Sequence, residues 1–286
     1  MRNVVLGASL VALLLVVLGF LGHLARSFDT ISMGRPLFAL LCGVGVFAAK
    51  PRWLKLSFAV VVAGVFFNLA NLFLSQEPGG DIRVYSKNLW FANSEIPALV
   101  ADIEAARVDV VMLQEVSDRN NTVLERLKTS HPYQHLCRFS AWSGVALASR
   151  HPFVGEPICS NSRAVAAAPI QLKTEKIWVV SAHIPWPWPH DSRANEAAAE
   201  RVLSDLDGAV IIAGDFNTMP WSERVQHFAS ITQTQLAGPI RATFDLKKVP
   251  LPLDFALAPH GGSVEIRPRL GSDHAGILAD LRLWPR

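Results

Sequence analysis

The sequence predicts an α/β fold with mixed β-sheets that follows an apolar N-terminal region. Strand-like and helix-like segments alternate from Ile82 to the C-terminus, without an internal repeat. Polar residues follow some strand-like runs and precede others, so strands of both directions are needed if these residues are to meet. The first 75 residues instead hold long apolar runs, which help to raise the hydrophobic fraction of the 286-residue chain to 50%.

These apolar runs predict a membrane anchor over residues 1–75, with two or three transmembrane helices. Residues 4–24 and 56–74 contain no Asp, Glu, Lys or Arg, and each run is near the roughly 20 residues needed to cross a bilayer. Residues 37–49 form a shorter run, which fits either a span or a buried or interfacial segment. The first run is longer than the apolar part of a signal peptide and no cleavage site follows, so we interpret it as a retained anchor.

Positive charges predict the orientation of this anchor. Lys50, Arg52 and Lys55 precede the last apolar run, and positively charged loops stay in the cytoplasm. With either two or three spans, the chain then emerges on the far side of the cytoplasmic membrane. We expect a linker at residues 76–81, which contain a Pro-Gly-Gly breaker, and one globular domain at residues 82–286, facing the periplasm or the cell exterior.

Cysteine content and net charge limit the kinds of metal site and binding partner that the domain can have. Cys137 and Cys159 are the cysteines of the domain. Outside the cytoplasm they would form one disulfide, although two buried thiols fit the sequence almost as well. No CxxC pair indicates a zinc site. The domain has 21 basic and 21 acidic residues, a balance that mildly disfavours a dedicated nucleic-acid-binding protein.

Hydrophobic patterning predicts the elements of the domain in order. Apolar runs and alternating segments predict strands at residues 82–89, 108–113, 144–150, 169–172, 177–182, 209–213, 255–258 and 276–281. Helical periodicity after capping residues predicts helices at residues 95–106, 121–129, 192–206 and 221–229. Sheets covered by helices are therefore expected.

Polar residues gather at the ends of these strands. Four of them lie at or just beyond the C-terminal end of a strand-like run: Asn88, Glu115, His183 and Asp215. Such strand ends face the crevices where ligands bind. Asp254 and the pair Asp273-His274 precede the last two strands instead, so those strands must run the opposite way to bring all of these groups together. An acid such as Glu115 at the end of a buried strand needs water, a cation or a partner.

The segment Gly214-Asp215-Phe216-Asn217 is the most specific motif. Its glycine permits a tight turn, and the acid and amide two residues apart place two oxygen-bearing side chains on one face. Ser272-Asp273-His274 adds an acid beside a titratable base, although it also fits a polar turn. Hard cations such as Mg²⁺ prefer oxygen ligands, and such a cation with a carboxylate base and neutral hydrogen-bond donors suits phosphate ester cleavage.

Together these residues resemble the endonuclease/exonuclease/phosphatase superfamily, whose fold is that of deoxyribonuclease I. The resemblance covers roughly residues 81–286 and implies a four-layer α/β sandwich with the active site at one end. Its matching motifs are SKNLW, VVMLQEV, VVSAHIP, GDFN, PLDFALA and GSDH. The implied cofactor is Mg²⁺ or Mn²⁺.

The resemblance also implies a role for each site residue. Glu115 is the implied principal metal ligand, and Asn88 and Asp273 complete the metal site directly or through water. Asp215 would position the attacking water, and Asn217 would hold a phosphoryl oxygen. The remaining implied roles concern the phosphate and the transition state: His274 as acid, base or transition-state stabiliser, Asp254 as the residue that orients it, and His183 as a phosphate contact. The division of labour between Asp215 and His274 stays open.

Apolar runs ahead of such a domain also resemble the bacterial membrane phosphatases associated with teicoplanin resistance, which suggests a lipid-linked pyrophosphate as substrate.

Arg163 is a weaker candidate for a phosphate contact and fits a solvated surface arginine equally well. Residues 185–189, PWPWP, fit either a membrane-interface segment or a rigid, packed loop. We therefore expect a metal-dependent phosphoester hydrolase, with a tethered endonuclease or exonuclease as the alternative.

Overall fold

The computed structural model describes residues 1–75, 79–189 and 191–285, and within them a helical N-terminal region precedes an α/β domain. Residues 76–78 of the predicted linker lie outside the described residues. The helices of the N-terminal region are α1 (Arg2–Leu18), α2 (Arg26–Ser32), α3 (Arg35–Ala48) and α4 (Arg52–Leu74).

Helix α4 is the one helix in the described part of the chain that is long and apolar enough by itself to cross a membrane. Helices α2 and α3 meet the same criteria as a pair, but they are bent by 67° at their junction. Helix α1 is apolar but has 17 residues. Length and composition therefore identify α4 as one candidate span. They identify a second candidate if α2 and α3 together form a single bent span.

The first predicted span, residues 4–24, is longer than the helix found there, because α1 ends at Leu18. Beyond Leu18 the chain packs against the domain. A Cβ atom on Gly22 would lie 2.7 Å from Cβ of Glu223 in the domain, so this part of the apolar run lies at the domain surface. The predicted short run at residues 37–49 belongs to the longer helix α3.

The domain alternates strands and helices along the chain. Its elements are β1 (Ile82–Asn88), α5 (Ile96–Ala106), β2 (Val110–Val116), α6 (Thr122–Leu127), β3 (Tyr133–Cys137), β4 (Gly144–Ser149), β5 (Ile158–Cys159), β6 (Val165–Leu172), β7 (Glu175–His183), α7 (Arg193–Ser204), β8 (Ala209–Asp215), α8 (Glu223–Ile231), β9 (Gln235–Leu236), β10 (Phe244–Leu246), β11 (Val249–Leu251), β12 (Asp254–Ala258), β13 (Gly262–Arg267) and β14 (Gly276–Leu281). The predicted strands and helices of the domain are found within a few residues of their expected bounds.

Two six-stranded sheets pack face to face, and helices cover their outer faces. The first sheet has the order β13-β14-β1-β2-β4-β3 and the second β5-β6-β7-β8-β12-β9. Met112 of the first sheet and Val179 of the second belong to the apolar core between them. Leu99 of α5 packs on the outer face of the first sheet, while Leu203 of α7 and Phe228 of α8 pack on the second. The four-layer sandwich is present.

Strand direction brings the polar residues to one end of this sandwich. Strands β1 and β2 are parallel, as are β7 and β8, whereas β14 runs antiparallel to β1 and β12 antiparallel to β8. Asp254 at the start of β12 therefore lies directly opposite Asp215 at the end of β8, and His183 lies beside Asp215 on the other side. The predicted mixture of strand directions is confirmed.

A disulfide connects the two sheets at one edge. Cys137 of β3 and Cys159 of β5 are bonded, with their Cα atoms 5.5 Å apart, and the two strands are edge strands of different sheets. Of the two alternatives that the sequence left open, the structure therefore has the disulfide. Cys42 in α3 is a buried free thiol.

The N-terminal helices are attached to the domain by hydrogen bonds. The Ile240 amide donates to the carbonyl of Leu72, near the end of α4, at 3.0 Å. The Trp221 indole donates to the carbonyl of Ser32 at 2.8 Å, and the Arg35 guanidinium donates to the carbonyl of Trp221 at 3.3 Å. The start of α3 and the end of α4 therefore both lie against the domain, and the loop that joins them lies at the far end of the helix pair.

Candidate active site

A polar pocket of about 630 Å³ opens at the end of the sandwich where the predicted residues meet. Two further predicted residues, Asn88 and Asp254, lie against its floor and contact the residues that line it. The predicted residues that line the pocket are Glu115, Arg163, His183, Asp215, Asn217, Asp273 and His274. The structure therefore brings all nine predicted residues together.

Glu115 reaches the pocket from an irregularity in β2. The register of β2 with β4 shifts between Gln114 and Val116, which leaves Glu115 as an extra residue with a φ of 54°. A bulge of this kind redirects a side chain, and the left-handed backbone at a non-glycine residue is a strained arrangement typical of functional positions. The Phe91 amide donates to Glu115 Oε2 at 3.0 Å, and Asn88 Nδ2 donates to Glu115 Oε1 at 3.2 Å.

Asp215 ends β8, and the glycine before it lets the two parallel strands approach closely. A Cβ atom on Gly214 would lie 2.0 Å from the carbonyl oxygen of Ala182 in β7. Asn217, with a φ of 49°, then folds back over Asp215. Its backbone amide donates to Asp215 Oδ1 at 2.9 Å and its side-chain amide to Asp215 Oδ2 at 3.0 Å. The sequence Gly-Asp-Phe-Asn thus fixes the direction of this carboxylate.

Asp215 is nearly inaccessible to solvent, with 1% of its surface exposed. Burial raises the pKa of Asp215 well above that of an ordinary carboxyl, although the positive charge of His274 opposes the shift. Asn88 Nδ2 also donates to Asp215 Oδ2 at 3.0 Å, so one amide holds both Glu115 and Asp215. A buried carboxylate with a raised pKa is suited to accept a proton near neutral pH.

His274 forms an imidazole–carboxylate pair with Asp254. Its Nδ1 atom lies 2.7 Å from Asp254 Oδ2, and its Nε2 atom lies 3.8 Å from Asp215 Oδ2. Burial lowers the pKa of His274, but the negative charges of Asp254 and Asp215 outweigh it and raise the pKa to about 10. The imidazole is therefore held protonated at neutral pH, with Nε2 directed at the other carboxylate.

His183 differs from His274 in its charge. Its Nε2 atom lies 3.7 Å from Glu115 Oε1 and 3.8 Å from Asp215 Oδ2. Burial lowers the pKa of His183 to about 3, and the nearby positive charges of Arg163 and His274 act in the same direction. A neutral imidazole at this position donates or accepts a hydrogen bond without adding charge to the pocket.

Arg163 supplies a cation on the wall of the pocket. It lines the cavity, and its guanidinium carbon lies 5.4 Å from the centre of the Trp142 ring. Burial lowers the pKa of Arg163, and the negative charges of Glu115 and Asp215 oppose that shift. Arg163 is half-buried in the pocket wall, a position compatible with a contact to an anionic group.

Several contributors to the site were missed by the sequence. Lys87 is fully buried in β1, where its ammonium group donates to the carbonyl of His274 at 2.9 Å, and burial lowers its pKa to about 8. Trp142, Trp186 and Phe244 line the pocket. A lysine inside an otherwise buried strand was a usable signal for Lys87, but nothing in the sequence indicates which aromatic residues reach the site.

The residues present fit a hard divalent cation. Glu115, Asp215 and Asp273 supply carboxylate oxygens to one pocket, and no thiol is among its described lining residues. This donor set matches Mg²⁺ or Mn²⁺ rather than a thiophilic metal. Asn88 Oδ1 accepts a hydrogen bond from the Trp90 amide at 2.9 Å, so in this structure Asn88 orients Glu115 and Asp215 through its side-chain nitrogen.

A second group of potential ligands lies on the other side of Asp215. Asp215, Asp254 and His274 offer ligand atoms within 4.8 Å of one another. Imidazole must be deprotonated to bind a metal, whereas His274 is held protonated by its carboxylate neighbours. The donor atoms of this trio could also hold a cation, with displacement of the His274 proton.

The fold and the site define an enzyme that hydrolyses phosphoester bonds. A family model matches residues 85–274, most of the domain. The chain belongs to the Endonuclease/Exonuclease/phosphatase family. A comparison with curated proteins finds no match.

Solved structures share this fold at low sequence identity. An endonuclease/exonuclease/phosphatase family protein from Leptotrichia buccalis has 18% identity, covers 70% of this chain and 99% of its own, and gives a TM-score of 0.57. Sphingomyelinase C from Streptomyces griseocarneus has 18% identity, with 72% and 100% covered and a TM-score of 0.53. TDP2 from D. rerio, solved with a single-stranded DNA product, has 16% identity, with 69% and 97% covered and a TM-score of 0.56.

Proposed function

We propose that this protein is a membrane-tethered, divalent-metal-dependent phosphoester hydrolase that acts at the outer face of the cytoplasmic membrane, with a lipid-linked phosphate or pyrophosphate as substrate. The observation that carries the proposal is the convergence of Glu115, Asp215 and His274 in one pocket of a domain attached to apolar helices. The same pocket is lined by Trp186 and Phe244, so aromatic side chains form part of its wall.

In the proposed mechanism Asp215 orients the attacking water and accepts its proton. Asn88 and Asn217 fix the direction of this carboxylate, and its raised pKa makes it a better base than an exposed aspartate. Protonated His274 donates a hydrogen bond from Nε2 to the charge that develops on the phosphoryl group, and Asp254 keeps the ring oriented and charged.

Phosphate binding is assigned to the remaining polar groups. Neutral His183 and the amide of Asn217 hold phosphoryl oxygens, and the guanidinium of Arg163 binds a phosphate oxygen from the side of the pocket. Glu115, with Asn88 and Asp273 directly or through water, would hold Mg²⁺ or Mn²⁺. When bound, this cation would supply Lewis-acid polarisation of the phosphoryl oxygen and stabilise negative charge on the leaving oxygen.

Membrane attachment is supported by the surface of the N-terminal helices. Val60 and Phe67 of α4 expose 61% and 71% of their surface, and an exposed apolar surface of this kind is unfavourable in water. The basic loop with Lys50 and Lys55 lies at the far end of the helices from the domain, which supports an outward-facing domain by the positive-inside rule.

Fusions to the C-terminus test this orientation. An alkaline phosphatase fusion should be active, whereas activity of a β-galactosidase fusion instead would refute the orientation.

A tethered nuclease is the alternative function, because D. rerio TDP2 shares the fold and was solved with DNA. The neutral formal charge of the domain favours the lipid-linked substrate, since binding to long nucleic acid usually requires a positive surface.

The discriminating experiment is product release from polyprenyl pyrophosphate, sphingomyelin and plasmid DNA by the full-length protein in detergent, with Mg²⁺, Mn²⁺ or EDTA. We expect metal-dependent release from a lipid. Rapid DNA cleavage with inert lipids would reverse the assignment.

A further inference from the structure

An apolar groove of about 600 Å³ lies between the N-terminal helices and the catalytic domain. Leu37 of α3 and Phe66 and Ala70 of α4 form part of one wall, and Val249 and Leu251 of β11 form part of the other. No charged side chain is among the described residues that line it. The groove thus extends from the apolar N-terminal helices to the domain that carries the active site.

The groove offers few polar atoms to a ligand. Trp221 lines it, but the indole N–H already donates to the carbonyl of Ser32 at 2.8 Å. Met219, Pro250 and Pro252 contribute side chains that have no hydrogen-bond donor. Because an unpaired polar group is costly to bury in such surroundings, the groove suits a hydrocarbon chain better than a headgroup or a peptide backbone.

Groove and catalytic pocket share a wall. Phe244 lines the pocket, with its ring centre 4.8 Å from that of His274, and it pairs across the β10–β11 hairpin with Leu251, which lines the groove. Trp186 lines the pocket and packs in the same apolar cluster as Met219 of the groove. The groove and the pocket are therefore neighbours along the β10–β11 hairpin.

We propose that this groove binds the hydrocarbon chain of a lipid-linked phosphoester while the catalytic pocket holds its phosphate, an inference that rests on the proposed function. Helix α4 supplies both the membrane-facing surface and a wall of the groove, so the chain of a lipid in the outer leaflet enters it without crossing water. Each buried methylene raises affinity roughly fourfold. Chain length should therefore increase kcat/KM.

The test uses the full-length protein in phosphatidylcholine nanodiscs with Mg²⁺ and two phosphodiesters, ethyl and decyl 4-nitrophenyl phosphate, which differ only in their chains. The measured quantity is the ratio of kcat/KM for the decyl ester to that for the ethyl ester. Partition of the decyl ester into the bilayer also raises this ratio, so the comparison between variants decides the result.

Two substitutions should reduce the ratio, each with a matched control. Ala70→Trp fills the groove, whereas Val60→Trp places the same indole side chain at an exposed position of α4 outside it. Val249→Asp places a charge in the groove, whereas Leu246→Asp places it on the cross-strand partner, which does not line the groove. Loss of two or three buried methylenes predicts at least a tenfold fall for Ala70→Trp and Val249→Asp.

A binding measurement in EDTA separates this inference from the proposed function. A dodecyl phosphate with a terminal diazirine should crosslink to residues 219–221 and 249–252, and Ala70→Trp should abolish those crosslinks while Val60→Trp keeps them. If neither ester is hydrolysed, the proposed function is wrong, and the crosslinks alone then test whether the groove binds a hydrocarbon chain. Equal ratios in both matched pairs, or crosslinks absent from these segments, would overturn the inference.

Discussion

Asp254 is the residue through which the site controls a histidine. Its carboxylate lies 2.7 Å from His274 Nδ1, and its charge is the main reason why the pKa of His274 is raised against the effect of burial. A neutral amide at this position keeps the shape of the side chain but removes the charge. Asp254 therefore orients His274 and makes the largest of several contributions to its protonation.

We expect Asp254→Asn to lower kcat about 10²- to 10⁴-fold, the usual contribution of an acid–base group, with a smaller effect on KM. The control is Asp207→Asn, which changes an exposed carboxylate far from the pocket. Steady-state hydrolysis of bis(4-nitrophenyl) phosphate measures both. Full activity of Asp254→Asn would remove His274 from the mechanism.

His131 provides a pH test outside the active site. It is buried, with Nε2 3.1 Å from the carbonyl of Val108, and burial lowers its pKa. Above the ordinary histidine pKa of about 6.5, neither the folded nor the unfolded state is protonated. As the pH falls through that value the unfolded state binds the proton first, so stability is lost on the acid side.

The melting temperature should therefore fall between pH 7 and pH 5, and His131→Gln should reduce the slope of that fall. Leu127→Ala is the matched control, because it removes buried apolar volume nearby without changing a titrating group. It should lower the melting temperature and keep the wild-type slope. An unchanged slope in His131→Gln would show that His131 does not contribute to acid sensitivity.

At the residue scale, the sequence located the site through short polar motifs that follow or precede apolar runs. Glu115, Asp215 and His274 could be predicted because an acid or base beside a buried strand is costly without a purpose. Trp186 and Phe244 could not be predicted as pocket residues, because aromatic residues occur equally in cores and loops. The bulge that redirects Glu115 leaves no mark in hydrophobic periodicity.

At the scale of elements, β8 depends on a glycine that permits close strand packing. Gly214→Ala would place a Cβ atom 2.0 Å from the Ala182 carbonyl, so we expect a loss of about 3 kcal/mol in the free energy of unfolding. Gly208→Ala is the control: its φ is 84° but the nearest atom to a Cβ lies at 3.8 Å, and about 1 kcal/mol is expected. Urea unfolding measures both, and equal losses would contradict the packing argument.

The Cys137–Cys159 disulfide is the second element-scale device, since it joins edge strands of the two sheets across a separation of 22 residues. Closing a loop of that length stabilises a fold by about 3 kcal/mol in the chain-entropy model. The double variant Cys137→Ser with Cys159→Ser should therefore unfold at lower urea concentration, and a reductant should have no further effect on it. Wild-type stability in the double variant would show that the bond contributes nothing.

The inner strands and the helices of the domain were predictable because their hydrophobic periods are clear, and strand direction followed from the need to unite the polar ends. The edge strands of the two sheets and the two-stranded hairpin were not predicted from the sequence: β3, β5, β9, β10, β11 and β13. The N-terminal region was less predictable. Its first apolar run continues to Leu24 in the sequence, but α1 ends at Leu18, and Gly22 beyond it packs against Glu223. A hydropathy profile contains no information about contacts with residues that lie about 200 positions away in the sequence.

At the scale of the whole molecule, the proposed function requires the N-terminal helices to position the catalytic domain. Hydrogen bonds from Ile240 and Trp221 hold the domain against the ends of α4 and α2. The catalytic pocket then lies close to the helices that we assign to the membrane. Under the proposed function, such an arrangement would bring a phosphate at the membrane surface to the carboxylates without release of the lipid.

The central claim is that Glu115 belongs to a divalent-metal site that drives phosphoester hydrolysis. The most direct measurement is release of 4-nitrophenol from bis(4-nitrophenyl) phosphate by the wild-type protein and by Glu115→Gln, titrated with Mg²⁺ after EDTA treatment. We expect wild-type activity to be lost in EDTA and restored by Mg²⁺, and Glu115→Gln to stay at least a hundredfold slower at saturating metal. Wild-type hydrolysis that persists in EDTA, or full activity in Glu115→Gln, would contradict the claim.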